Sequence, residues 1–102
     1  MAAKRFSLFY LPAAYEDLND IVEWISSESP ASALRLVQAI DRKISLLEKT
    51  PMIGITPRHP RLIAKSYRVL AVERYLVFYK LKSGNVVIHR VIHGSRNVEG
   101  LI

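Results

Sequence analysis

The spacing of hydrophobic residues changes along this chain, and each change marks the start or end of an element. Arg5-Phe6-Ser7-Leu8-Phe9-Tyr10 alternates and is rich in aromatics, the pattern of a strand. Pro12 follows, at a position where a helix can begin because its missing N–H would have had no helical partner. Ala14, Leu18, Ile21, Val22 and Ile25 then recur at helical spacing, and Glu16 and Asp17 fall in the early turns, where the helix dipole favours acids. A helix is predicted to about Ser27. Ser29-Pro30 is a second start signal, a hydroxyl cap followed by proline at the first helical position. Ala33, Val37, Ile40, Ile44 and Leu47 then form one apolar stripe, which Thr50-Pro51 ends. The few residues between the two stretches predict an antiparallel helical hairpin. Trp24, among the acids of the first helix, is expected to pack against the second helix or the sheet edge.

From Met52 to Lys65 there is no period, and Gly54, Pro57 and Pro60 predict a loop, long for so small a chain. Tyr67 to Val72, Tyr75 to Leu81 and Val86 to His93 are rich in Val, Ile, Leu and Tyr. Glu73-Arg74 and Lys82-Ser83-Gly84-Asn85 separate them, so they are predicted to form an antiparallel meander. Gly94 ends the last strand and Asn97 to Ile102 forms a short tail. The expected architecture is α+β in the order β-α-α-β-β-β: an antiparallel sheet with an N-terminal helical hairpin packed on one face. It is expected to form a single domain over residues 1–102.

Composition narrows the function classes. Half of the 102 residues are hydrophobic and 24% are charged, the balance of a folded chain. There is no cysteine, which removes disulfides and thiolate metal sites, and three scattered histidines make a poor metal set. No glycine-rich phosphate loop or serine nucleophile motif is present, and no cofactor is expected. The basic start is not followed by a long apolar run, so neither a signal peptide nor a membrane span is expected and the protein is placed in the cytoplasm. Charge is more informative than the net +6 suggests. Residues 1–50 carry six bases and seven acids, whereas residues 51–102 carry nine bases and two acids. A basic C-terminal half points to an anionic partner: nucleic acid, an acidic protein segment or a membrane surface.

Three stretches resemble the RelE/ParE family of toxins, and they lie in the family's order. Ala14-Tyr15-Glu16-Asp17-Leu18-Asn19-Asp20-Ile21 is similar to its alanine, Asp-Leu and Ile pattern in the first helix. Thr50-Pro51-Met52-Ile53-Gly54 resembles its Pro-x-x-Gly after the second. Arg90-Val91-Ile92-His93-Gly94-Ser95-Arg96-Asn97, following Tyr67-Arg68-Val69-Leu70 and Tyr75-Leu76-Val77-Phe78-Tyr79, is close to its Arg-Val-Leu-His-Gly-x-Arg-Asp ending. The resemblance implies the toxin of a type II toxin–antitoxin system, which arrests bacterial growth and is neutralised by a cognate antitoxin. It also implies one of two targets. The ParE branch inhibits DNA gyrase and needs no catalytic residues; the RelE branch is an endoribonuclease that cuts ribosome-bound mRNA. The long hairpin and its acidic first helix incline the reading to gyrase, because such acids repel ribosomal RNA phosphate.

Cleavage without a metal would require a base, an acid and cations around the phosphate. The candidates are Arg68 and Arg90 as phosphate clamps and His93 as proton shuttle. Arg61, Lys65, Arg68, Arg90 and Arg96 are candidate binding residues. Regular alternation puts Arg90 in phase with Val86, Ile88 and Ile92, and His89 and His93 in phase with Val87 and Val91. Arg90 and His93 would then face opposite sides unless a bulge intervenes. Arg68 is weighed equally as a structural residue, and Tyr67, Tyr75 and Tyr79 are expected to pack within the sheet rather than stack on bases.

Overall fold

The computed structural model describes residues 5–96. Its elements follow the order β1 (Ser7–Tyr10), α1 (Pro12–Ser26), α2 (Pro30–Ser45), a 3-10 turn at Leu46–Glu48, α3 (Pro60–Ala64), β2 (Arg68–Val72), β3 (Tyr75–Lys82) and β4 (Asn85–His93). The N-terminal residues 1–4 and the tail at 97–102 lie outside the described residues.

Both helix starts are where the prolines put them. Ser29 caps α2, its side-chain oxygen accepting the Ser32 N–H at 3.2 Å. The 52–65 segment departs from the expected plain loop, because His59 Nδ1 accepts the Arg61 N–H at 3.1 Å and Pro60 opens the five-residue α3. One turn of helix is too short to show a hydrophobic period, so only its cap is visible in the sequence.

The sheet order is β1-β4-β3-β2. β2, β3 and β4 form the expected antiparallel meander, while β1 joins β4 in parallel, making the sheet mixed. Between β1 and β4 the chain passes through the helical hairpin and two further strands, a connection long enough for parallel pairing. The tight β3–β4 turn at Ser83-Gly84 uses positive φ at both residues, 49° and 81°, which suits a two-residue hairpin.

Each face of the sheet carries its own apolar cluster. On the helix side, Ala14, Leu36, Ile40, Ile44 and Leu47 meet Leu70, Val72, Val77, Tyr79, Val86, Ile88 and Val91. Leu36 takes the inward place expected of Val37. Both fit helical spacing, but Val37 is turned toward the α1 seam beside Tyr10, Tyr15 and Leu18. On the other side, a smaller cluster of Leu62, Tyr67, Val69, Phe78 and Ile92 sits under α3. Trp24, expected to pack against the second helix or the sheet edge, is instead 79% exposed. Among the described residues, no helix is long and apolar enough to cross a membrane.

Candidate functional site

β1 is only four residues long, and this shapes a polar site at the edge of β4. It covers β4 from Asn85 to Ile88, after which the Leu11 N–H bonds the Ile88 carbonyl at 2.9 Å and Pro12 starts α1. Among the described residues, β4 continues to His93 without a strand on that side. Asp17, reaching over from α1, takes the strand's place. Its Oδ2 accepts the Val91 N–H at 2.9 Å and Arg90 Nε at 2.7 Å, and its Oδ1 accepts from Arg90 Nη2 at 2.8 Å. This is a bidentate, mostly buried ion pair, with side-chain exposures of 22% and 12%. The Asp17 hydrogen bond raises the Arg90 pKa above its usual value, against the desolvation that opposes it.

His89 has no register partner: Arg90 pairs with Phe78 and Ile88 with Tyr79. The irregularity corrects the simple alternation expected for β4. Val86 and Ile88 face the helices, and so does Val91, whereas Ile92 faces the opposite cluster. Arg90 and His93 still differ by an odd step, so the irregularity does not put them on one face. Arg90 reaches Asp17 at the strand edge. His93 is held in its own turn, where Nδ1 lies 2.7 Å from Ser95 Oγ and accepts the Ser95 N–H at 3.1 Å. Its ring also meets Tyr75 edge-on at 5.3 Å.

Arg68 is engaged elsewhere. In phase with Leu70 and Val72, it points to the helix side and donates to the Met52 carbonyl at 2.9 Å and, in a shorter contact, to the Gly54 carbonyl. Tyr79 completes this anchor by donating to the Pro51 carbonyl at 2.7 Å and accepting the Gly54 N–H at 3.0 Å. A Cβ on Gly54 would lie 2.7 Å from Tyr79 Cε1 and 2.8 Å from the Val69 carbonyl, so only glycine lets the loop sit this close. Arg61 within α3 and Lys65 at its C-terminal end are exposed, and Arg96 is exposed beyond the end of β4.

The candidate residues therefore fall into separate places. His93 and Arg96 share a cleft of about 490 Å³ between α1 and β4, together with Asp17, Asp20, Trp24 and Tyr75. Arg68 belongs to the loop anchor, and Arg61 and Lys65 to the α3 corner. Sequence reasoning missed a further cluster on the outer face. Tyr67 Oη lies 3.2 Å from His89 Nδ1, and Lys80 Nζ stands 4.4 Å over the Tyr67 ring. Burial, and secondarily the Lys80 charge, lower the His89 pKa, which keeps the ring neutral near pH 7. Burial raises the Tyr67 pKa, with Arg90 opposing. The sequence signal was the alternation of Lys80 and Lys82 with apolar residues, but the pairing that brings His89 to Tyr67 depends on the irregularity in β4. Among the described residues, no group of three acidic, histidine or cysteine side chains is placed to hold a metal.

The residues of the three sequence motifs have structural duties. Asp17 clamps the strand edge, Gly54 admits the loop, and Gly94 lies where a Cβ would come 3.3 Å from the Arg74 carbonyl. Fold and motifs define a small toxin of the RelE/ParE type. Residues 8–98 match the family model described as ParE toxin of type II toxin-antitoxin system, parDE, and the chain belongs to that family. A solved structure described as "Chromosomal ParDE TA system from P. aeruginosa" is similar in fold, with a TM-score of 0.73 and 22% identity over 88% of this chain and 97% of that one. No match was found among curated proteins.

Proposed function

We propose that this toxin arrests bacterial growth by binding and inhibiting DNA gyrase, and that a cognate antitoxin neutralises it. The observation that carries the reading is the match to the ParE family over residues 8–98. The geometry supports it, because the two arginines expected to clamp phosphate are committed to the protein's own groups, Arg68 to loop carbonyls and Arg90 to Asp17. A non-enzymatic inhibitor needs a contact surface instead. The α1–β4 cleft supplies one, with the largely exposed Trp24 beside His93 and Arg96. Tryptophan is among the residues most often dominant in protein interfaces. Arg96 stays a binding candidate in this cleft, with Arg61 and Lys65 at the α3 corner.

The test is gyrase supercoiling of relaxed plasmid in the presence of purified toxin. Inhibition at stoichiometric toxin is expected, and Trp24→Ala should weaken it at least about tenfold, the scale of an interface hot spot, with the fold intact. Unchanged supercoiling at excess toxin would refute the reading. The ribonuclease reading is favoured by one observation, the Tyr67–His89–Lys80 cluster, which sets a neutral imidazole beside a hydroxyl and a cation. Mapping transcript 5′ ends after toxin induction tests it: new ends within translated reading frames would replace the gyrase proposal, and their absence would dismiss the ribonuclease.

A further inference from the structure

The segment between α2 and β2 presents a surface for which neither the core nor the α1–β4 cleft has a use. Met52, Ile53, Ile55 and Ile63 are 60%, 38%, 69% and 48% exposed, four large apolar side chains within a dozen residues. Such a group is not scattered exposure of the ordinary kind. It is also held in place. Arg68, Tyr79 and Gly54 anchor the backbone of residues 51–54. Ile55 and Val69 exchange both backbone hydrogen bonds at 2.8 Å, which puts the Ile55 side chain on the outer face beside α3. Leu62, buried in the outer cluster, fastens α3 and so positions Ile63.

Charge around this surface is of one sign. From Lys49 to Val72 the chain holds five bases and no acid. Arg58, Arg61 and Lys65, between and just after the isoleucines in the chain, are exposed. The adjoining strand edge is guarded, since Val69 is bonded to Ile55 and Lys43 Nζ donates to the Ala71 carbonyl at 3.1 Å, so it offers little for strand addition. A second copy of the chain is a poor occupant, because a two-fold contact would set the same bases against each other.

We propose that this patch is the docking surface for an acidic, apolar segment of the antitoxin, its hydrophobic side chains covering Met52, Ile53, Ile55 and Ile63 and its carboxylates meeting Arg58, Arg61 and Lys65. The proposal rests on the toxin–antitoxin reading and adds the place and chemistry of the contact. The preset loop lowers the ordering cost of binding, and the one-sided charge selects the partner's sign.

The experiment is calorimetric titration of the purified toxin with the purified antitoxin encoded beside it. Ile55→Asp and Ile63→Asp together are expected to weaken binding at least about 100-fold. Arg58→Glu with Arg61→Glu, at exposed positions that do not endanger folding, should weaken it about tenfold and flatten its salt dependence. Leu34→Asp, 59% exposed near the start of α2, should bind as the parent does. Both patch variants binding like the parent would overturn the proposal while leaving the toxin–antitoxin reading intact. An antitoxin that fails to bind the parent chain would overturn both. Patch variants that bind antitoxin normally but no longer inhibit gyrase would assign the surface to the target and likewise overturn the proposal.

Discussion

On the helix side of the sheet, Val77, Tyr79, Val86 and Ile88 are each 0% exposed, and two helices cover them. On the opposite side, a five-residue helix shelters a smaller cluster, and Tyr67, His89 and Lys80 bring polar groups into the same face. The helix side concentrates the burial that stabilises the fold. The outer side gives up some burial and keeps titratable groups and exposed apolar surface within reach of a partner.

The largest expected effect compares equivalent truncations on the two faces. Ile88→Ala should cost about 4 kcal/mol, whereas Leu62→Ala should cost about 2 kcal/mol because the thin outer layer can close around the gap. Urea unfolding measures both, and equal losses would erase the distinction. Gly54→Ala should cost about 2–3 kcal/mol, since its Cβ would force Tyr79 and the Val69 carbonyl apart. A neutral result would mean that the loop anchor contributes nothing to the inner face. Asp17→Asn, at the margin between the faces, should cost about 2 kcal/mol by leaving the Arg90 charge without its partner while keeping an acceptor for Val91. Thermal unfolding with and without high salt checks this, as the parent's advantage should shrink with salt only slightly for a pair this enclosed.

The smallest effect is a pH dependence of the outer face. The folded-state pKa of His89 lies below its unfolded value, so both states are neutral at high pH and the histidine then contributes no pH dependence. As pH falls through about 6.5, the unfolded chain takes up a proton that the folded chain resists, and stability declines. Urea midpoints at pH 7.5 and 5.5 should therefore differ more for the parent than for His89→Gln. Parallel behaviour would place the ring in open solvent.

The Asp17–Arg90 clamp shows how far sequence reasoning reached. Asp17 was visible as an acid early in a helix and Arg90 as a strand arginine, and each carried a motif of the family. Nothing local joins residues 73 positions apart, and their pairing depends on β1 ending after four residues. Trp24 was misplaced for a related reason. Helical period assigns a residue to a face, but only the packed hairpin shows whether anything covers that face.

By itself, the sequence determined the two long helices, the three-stranded meander, the family and the basic character of the C-terminal half. These rest on short-range physics: periodic hydrophobicity, proline and serine at helix starts, tight turns, and charge counts. The tertiary structure alone decided that β1 runs parallel to β4, that the register irregularity turns His89 toward Tyr67, and that Arg68 and Arg90 serve the protein's own backbone and carboxylate. Those outcomes depend on which distant groups meet once the sheet closes, since a buried guanidinium takes the acceptors that the fold brings to it.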